Sequence, residues 1–207
     1  GDLLAMGSYP NFNPNLFAGG IEREHWEGLL NNPEHPLENK AIQGLYPLGS
    51  IFKVVTAYAG LEMGVLDYET THVCNGYYDL LGRKKLPEPD EISKYKTIFK
   101  CWKEGGHGKM ELHSAIRESC NVFFYNVGIE VGAEDLARVA RKFGLGKVTG
   151  IDLLNEKEGL VPNDAWKQSV LREPWYKGET PPLSIGQGYL NVTPIQVVHM
   201  INILVNQ

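Results

Sequence analysis

The sequence predicts an α/β chain in which helix dominates and strand is scarce, and three observations carry that prediction. Apolar residues recur at helical spacing in several separate stretches from residue 50 onward, as at Leu136, Val139, Ala140 and Phe143. Glycines stand just past the ends of these stretches, at Gly64, Gly132 and Gly144, where helices commonly stop. A single segment, DLLAMGSYP at 2–10, reads as a strand, closed by Pro10.

Past Pro10, Gly, Asn and Pro dominate through Gly20; a short helix is expected over 21–31, and NNPEHPLENK is a loop. From Ser50 to about Met63 apolar side chains occupy nearly every face, Ile51, Phe52, Val54, Val55, Ala57, Tyr58 and Leu61 among them, which predicts a buried helix. Residues 67–109 have little periodicity and much charge, Gly and Pro. A loop this long inside a compact domain is usually functional, disordered or pinned by something. Helices are expected over MELHSAIRES, NVFFYNVGIEVG and 134–143. The last begins at Thr193-Pro194-x-Gln196, a capping box with proline at the first helical position, and runs as an amphipathic helix to the last residue. There is no internal repeat and no low-complexity tract.

With 207 residues and 43% apolar content, the chain can bury the core of one domain or of a large part of one. A formal charge of −5 with no Lys/Arg cluster argues against a nucleic-acid surface or a polybasic membrane contact. No apolar run approaches the roughly 20 residues that span a bilayer, and nothing near residue 1 reads as a signal peptide, so a membrane anchor is expected outside this chain.

Ser50-Ile51-Phe52-Lys53 sets a serine and a lysine three positions apart at the head of the apolar helix. Positions i and i+3 share a helix face, which brings the amine within reach of the hydroxyl. A serine hydroxyl is a weak nucleophile until an adjacent base takes its proton. The plain alternative, a capping serine followed by an outward lysine, is the commoner meaning of this spacing. Here, however, the lysine sits in a helix otherwise apolar all round, and burial disfavours its charged form, leaving an amine that can accept a proton. Ser119-x-Asn121 heads a later apolar helix and supplies the second element of the Ser-x-x-Lys acyl-enzyme class. Taken alone it reads as a helix junction, since Ser and Asn commonly cap.

These motifs stand within GDLLAMGSYPNFNPN, NKAIQGLYPLGSIFK, CWKEGGHG, ESCNVFFYNVG, FGLGKVTGIDL and PWYKGETPPLSIGQGYLNVTPIQ, which together cover most of the chain. In this order they resemble the transpeptidase domain of the class B penicillin-binding proteins, elongation type (the penicillin-binding protein 2 family). Leu48 stands where these enzymes usually have a second proline, and Lys40 and Glu179 are chemically mild departures. The resemblance implies a penicillin-binding/serine β-lactamase-like transpeptidase fold, represented here mostly by its helical portion. It implies a peptidoglycan D,D-transpeptidase in which Ser50 attacks the penultimate D-alanine carbonyl of a stem peptide ending in D-Ala-D-Ala. Lys53 is then the base, while Ser119 and Asn121 pass protons and hold the substrate amide. β-Lactams would acylate the same serine. A SEDS-type glycosyltransferase and the elongation complex are the implied partners, at the periplasmic face of the inner membrane. A β-lactam sensor or noncatalytic scaffold of the same ancestry is the alternative; serine β-lactamases resemble NKAIQGLYP and PWYKGET poorly. The family's K-[ST]-G strand is not found, because GKVTG at 146–150 has an extra residue between Lys147 and Thr149 and precedes GQG. The expectation is therefore a partial transpeptidase domain over 1–207, first strand and helical portion present and later strands of the sheet absent, inactive by itself.

Cys74, Cys101 and Cys120 are too few for a disulfide scaffold. A Cys74–Cys101 disulfide with Cys120 buried, or three unrelated thiols, are the plain readings. Three thiolates and one imidazole, with His107 six residues after Cys101, also make a closed tetrahedral shell for structural zinc. Some elongation-type relatives hold zinc with His and Cys at the positions of His107 and Cys120, and carboxylates where Cys74 and Cys101 stand. The set implied by the resemblance is Cys74, Cys101, His107 and Cys120, bracing the Ser119–Asn121 turn from behind without a part in acylation.

Overall fold

Residues 121–131 carry apolar side chains on nearly every face, so the helix they form has no side to offer to water. In the computed structural model, which describes residues 2–83, 91 and 94–206, that helix is the centre of the molecule. The described elements are α1 (Arg23–Leu30), α2 (Lys40–Gln43), α3 (Lys53–Glu62), β1 (Thr71–Cys74), β2 (Tyr77–Asp79), β3 (Ile98–Lys100), β4 (Gly108–Glu111), α4 (Leu112–Arg117), α5 (Asn121–Val131), α6 (Ala133–Lys142), α7 (Asp164–Leu171), α8 (Thr180–Ser184) and α9 (Pro194–Asn206). α5 buries Val122, Phe123, Phe124, Tyr125, Val127, Gly128 and Val131, and α3, α6 and α8 pack around it. Phe52, Phe123, Phe124 and Leu136 lose all contact with solvent, each worth about 1.5–3 kcal/mol relative to exposure. α8 crosses α5 at Gly128, where a Cβ would run into the Ser184 side chain.

The helices expected from periodicity are present, and α9 starts as its capping box requires. Thr193 N donates to Gln196 Oε1 at 3.3 Å and Gln196 N donates to Thr193 Oγ1 at 3.4 Å. Three expectations are corrected. The apolar stretch from Ser50 is not buried all round: it opens as a 3-10 turn, Gly49–Phe52, and Ile51, Tyr58, Leu61 and Met63 are exposed. An apolar pattern names the faces that can be buried, and α5 and α6 cover only part of them. Residues 2–8 enter no ladder among the described residues, and Leu3 and Leu4 are exposed. Apolar residues can supply a strand with a face, but a ladder also needs a neighbouring strand to receive its hydrogen bonds.

The third correction concerns 67–109, read as irregular. It contains β1 to β4, paired as one antiparallel hairpin inside another. Thr71 faces Glu111 and Cys74 faces Gly108 in the outer pair; Tyr77 faces Lys100 and Asp79 faces Ile98 in the inner one. This nesting, laid against α5, brings the end of β1, the end of β3 and the start of β4 to one place.

Candidate active site

Ser50 lies in the 3-10 turn Gly49–Phe52, and Lys53 opens α3 directly behind it. Gly49 N donates to Gly186 O at 2.8 Å. Gly186 has φ +75°, and a Cβ there would strike Gly49 and Phe52, so this approach requires glycine. Ser50 is exposed and its side chain caps no helix; the turn's cap position is Leu48.

Lys53 is 2% exposed, which removes the reading of an outward surface lysine. Its Nζ donates to Ser119 O at 2.7 Å, Ser119 Oγ at 2.9 Å and Asn121 Oδ1 at 2.6 Å, and lies 5.8 Å from the Phe124 ring centroid. Three acceptors use all three ammonium protons. Burial pulls Lys53 down from 10.5 to about 8, against the Cys101 and Cys120 sulfurs, whose negative charge when deprotonated raises it. Among the described residues no hydrogen bond joins Lys53 to Ser50; the lysine is held instead by the second motif. That motif is bent to receive it. Ser119 has φ +52°, a left-handed conformation that costs a non-glycine residue about 1–3 kcal/mol. Ser119 N donates to Ile116 O at 3.1 Å and Cys120 N to Ala115 O at 2.9 Å, closing the turn between α4 and α5.

Behind this turn the nested hairpins gather the other four predicted residues. Cys74 ends β1, Cys101 follows β3, His107 precedes β4 and Cys120 caps α5. Their donor atoms all lie within 4.8 Å of one another. The three cysteines are free, which rules out the Cys74–Cys101 disulfide in this structure. His107 Nδ1 is 3.6 Å from Cys74 Sγ and 3.5 Å from Cys101 Sγ. Zinc bonds of about 2.3 Å to sulfur and about 2.0–2.1 Å to nitrogen, set tetrahedrally, put such atoms roughly 3.5–3.8 Å apart. The hydrogen bond between Cys120 and Cys101 pulls the Cys101 thiol down to about 4 and pushes Cys120 up, as expected of two thiols sharing one proton. Donor type, number and spacing therefore fit one zinc ion held by Cys74, Cys101, His107 and Cys120.

Lys147 and Thr149 belong elsewhere: Gln196 Nε2 donates to Lys147 O at 2.6 Å, and Thr149 N donates to Glu156. Two contributors escaped the sequence reading. Trp102 Nε1 donates to Glu118 O at 3.1 Å and Ser119 O at 3.0 Å. Lys167, buried, donates to Glu179 at 2.6 Å and faces the Tyr176 ring at 4.2 Å, tying α7 to the segment that leads through α8 to Gly186. The only sign of the second was Glu179 itself, noted as a departure from the family pattern.

Residues 1–207 match the family described as the penicillin binding protein transpeptidase domain. The peptidoglycan D,D-transpeptidase MrdA of Escherichia coli K12 is 39% identical over 206 residues, covering 100% of this chain and 31% of that protein. The chain thus spans about a third of the length of the curated relatives it matches. A crystal structure of Pseudomonas aeruginosa PBP2 in complex with WCK 5153 superimposes with a TM-score of 0.87 at 37% identity, over 99% of this chain and 42% of that one. PBP2 from Helicobacter pylori, in a complex with MreC, gives 0.83 at 36% identity over 95% and 34%.

Proposed function

The chain belongs to the penicillin-binding protein transpeptidase family, and from that premise we propose that the protein is a serine-type peptidoglycan D,D-transpeptidase that β-lactams acylate. The observation that carries the reading is the grip of Lys53 on Ser119 O, Ser119 Oγ and Asn121 Oδ1, which joins the two short motifs into one site with Ser50 exposed beside it. Once Lys53 gives up a proton it keeps two N–H donors and gains a lone pair to take the Ser50 proton. Ser50 Oγ then bonds to the penultimate D-alanine carbonyl carbon, the bond to the terminal D-alanine nitrogen breaks, and that nitrogen leaves with a proton. Ser119 Oγ, accepting from Lys53, has its own O–H free to pass that proton on. Asn121 Oδ1 is occupied by Lys53, and Nδ2, whose one contact is a long 3.5 Å one to Lys100 O, keeps a proton to donate to the substrate amide. The amine of a second stem peptide attacks the acyl carbon and releases Ser50. The first turn of a helix offers unpaired N–H groups to the developing oxyanion.

A substrate outside the cytoplasm places the protein at the periplasmic face of the inner membrane; no described helix is long and apolar enough to cross a membrane. Its partners are then a SEDS-type glycosyltransferase and an elongation complex with an MreC-like member, as the H. pylori relative is found with MreC. We further propose that Cys74, Cys101, His107 and Cys120 hold a structural zinc. The ion supplies a four-point cross-link between the hairpins and α5, and no proton transfer.

Labelling with a fluorescent penicillin tests the reading. The full-length protein is expected to carry one adduct, on Ser50, absent from Ser50→Ala and from a folded Lys53→Ala. An adduct mapped to Ser119 would overturn the assignment of the nucleophile.

A further inference from the structure

Trp102 sits between two of the proposed zinc ligands, directly after Cys101 and ahead of His107, whose ring it meets edge-on at 5.2 Å. Its indole N–H reaches forward across the turn to Glu118 O and Ser119 O. These are carbonyls just past the end of α4, where a helix leaves its last C=O groups without intrahelical partners. The ring that carries this N–H is 62% exposed. A tryptophan kept for packing buries its ring; here the ring is in solvent and the N–H is engaged.

Ser119 O receives two donors at once, Trp102 Nε1 at 3.0 Å and Lys53 Nζ at 2.7 Å. Of the three acceptors on Lys53, it alone has a second protein donor among the described residues. A protonated Lys53 can serve all three acceptors, whereas a neutral one has two N–H bonds for three acceptors. One acceptor must be released when Lys53 acts as a base, and among the described residues Ser119 O is the acceptor that another protein donor already holds. For the half-buried Ser119 carbonyl, keeping one donor while losing another costs less than losing its donors altogether. A second donor also keeps the left-handed Ser119 from relaxing when Lys53 lets go.

We propose that Trp102 is a positioning residue for acylation, its indole N–H holding the Ser119 carbonyl while Lys53 releases it to accept the Ser50 proton. The proposal rests on the reading of Lys53 as the acylation base. It assigns Trp102 no contact with the reacting atoms.

The test is acylation of the full-length protein by benzylpenicillin, resolved into binding and the chemical step. Three forms are compared with the unsubstituted protein: Trp102→Phe, Trp102→Ala, and one whose indole is replaced by benzothiophene, which keeps the shape and lacks the N–H. The chemical step is expected to slow about 3- to 10-fold in all three, the rate equivalent of one neutral hydrogen bond. Penicillin affinity, the fraction of sites finally labelled and the zinc content should be unchanged in the benzothiophene form. A benzothiophene form as fast as the unsubstituted protein overturns the proposal. So does slowing that appears only with loss of zinc or of labelled sites, because that makes Trp102 a structural residue. Absence of a Ser50 adduct in the unsubstituted protein would remove the underlying reading and this one with it; a normal adduct with unchanged rates removes this one alone.

Discussion

α5 and the segment 67–111 meet at Cys120, yet different forces hold them. α5 is surrounded by α3, α6 and α8, and seven of its residues are buried. The segment carries strands of three or four residues, alternation is weak, and Val73 and Leu81 face solvent. Besides Ile98, it buries the two thiols of Cys74 and Cys101, with the half-buried His107 beside them. A two-stranded hairpin with little apolar cover is marginal in water. The difference teaches that Ser119–Cys120–Asn121 is fixed from one side by hydrophobic packing and meets on the other a cluster of thiols and an imidazole, the proposed zinc site.

Removing the metal should separate the two regions most sharply. Structural zinc in small domains is worth roughly 10–16 kcal/mol in apparent binding, comparable with the net stability of about 5–15 kcal/mol for a whole domain. Chelation is expected to expose the amides of 67–111 to fast hydrogen exchange while α5 and α6 stay protected, and to leave three thiols titratable. Protein purified without chelator should contain one zinc per chain, lost in His107→Ala. Full thiol titration with no metal in the untreated protein would end the proposal.

The converse perturbation belongs to the core. Leu136 on α6 is fully buried and is neither a site residue nor a zinc ligand. Leu136→Ala should cost about 2–5 kcal/mol by denaturant unfolding, with zinc content unchanged in the protein that remains folded. Loss of zinc ahead of unfolding would show that the cluster leans on the core more than its geometry implies.

The same division explains what the sequence revealed. Ser50 and Lys53 could be paired because positions i and i+3 share a helix face, and a lysine among apolar residues declares its own burial; Ser119 and Asn121 were read from the motif that accompanies Ser-x-x-Lys. α5 and α6 were legible from period and from the glycines that stop them. The strands of 67–111 were not, because their pairing follows from nested turns rather than from alternation. Residues 2–10 misled for the opposite reason: apolar residues are there, and among the described residues no strand pairs with them. Trp102 was quoted within CWKEGGHG but not singled out, since its contact is to backbone 16 and 17 residues away and leaves no pattern in side-chain chemistry.

Lys53 is where the two regions meet electrically, burial lowering it and the charge of Cys101 and Cys120 raising it. With the balance at about 8, the neutral amine that acylation needs grows as pH rises. The acylation rate constant should increase about tenfold per unit below that midpoint and level off above it. A profile already flat across pH 6–9 would place the base elsewhere.

The smallest effect is expected at the joint between the regions, where β4 passes into α4. Glu111 and Ser114 form a reciprocal capping box: Ser114 N donates to Glu111 Oε1 at 2.9 Å, and Glu111 N donates to Ser114 Oγ at 3.1 Å. Ser114→Ala removes the second of these bonds, together with the donation from Ser114 Oγ to Glu111 O at 3.0 Å, and leaves the first. A lost cap bond costs about 0.5–1 kcal/mol, which lowers the thermal midpoint of a domain this size by a few degrees. Zinc content and the rate of penicillin acylation should stay within twofold of the unsubstituted protein. If the cluster and the helical core fix the Ser119 turn between them, the short covalent joint has little left to hold. A collapse of acylation or of metal binding in Ser114→Ala would mean instead that α4 transmits the order of the core to the hairpins, and that the two regions are one.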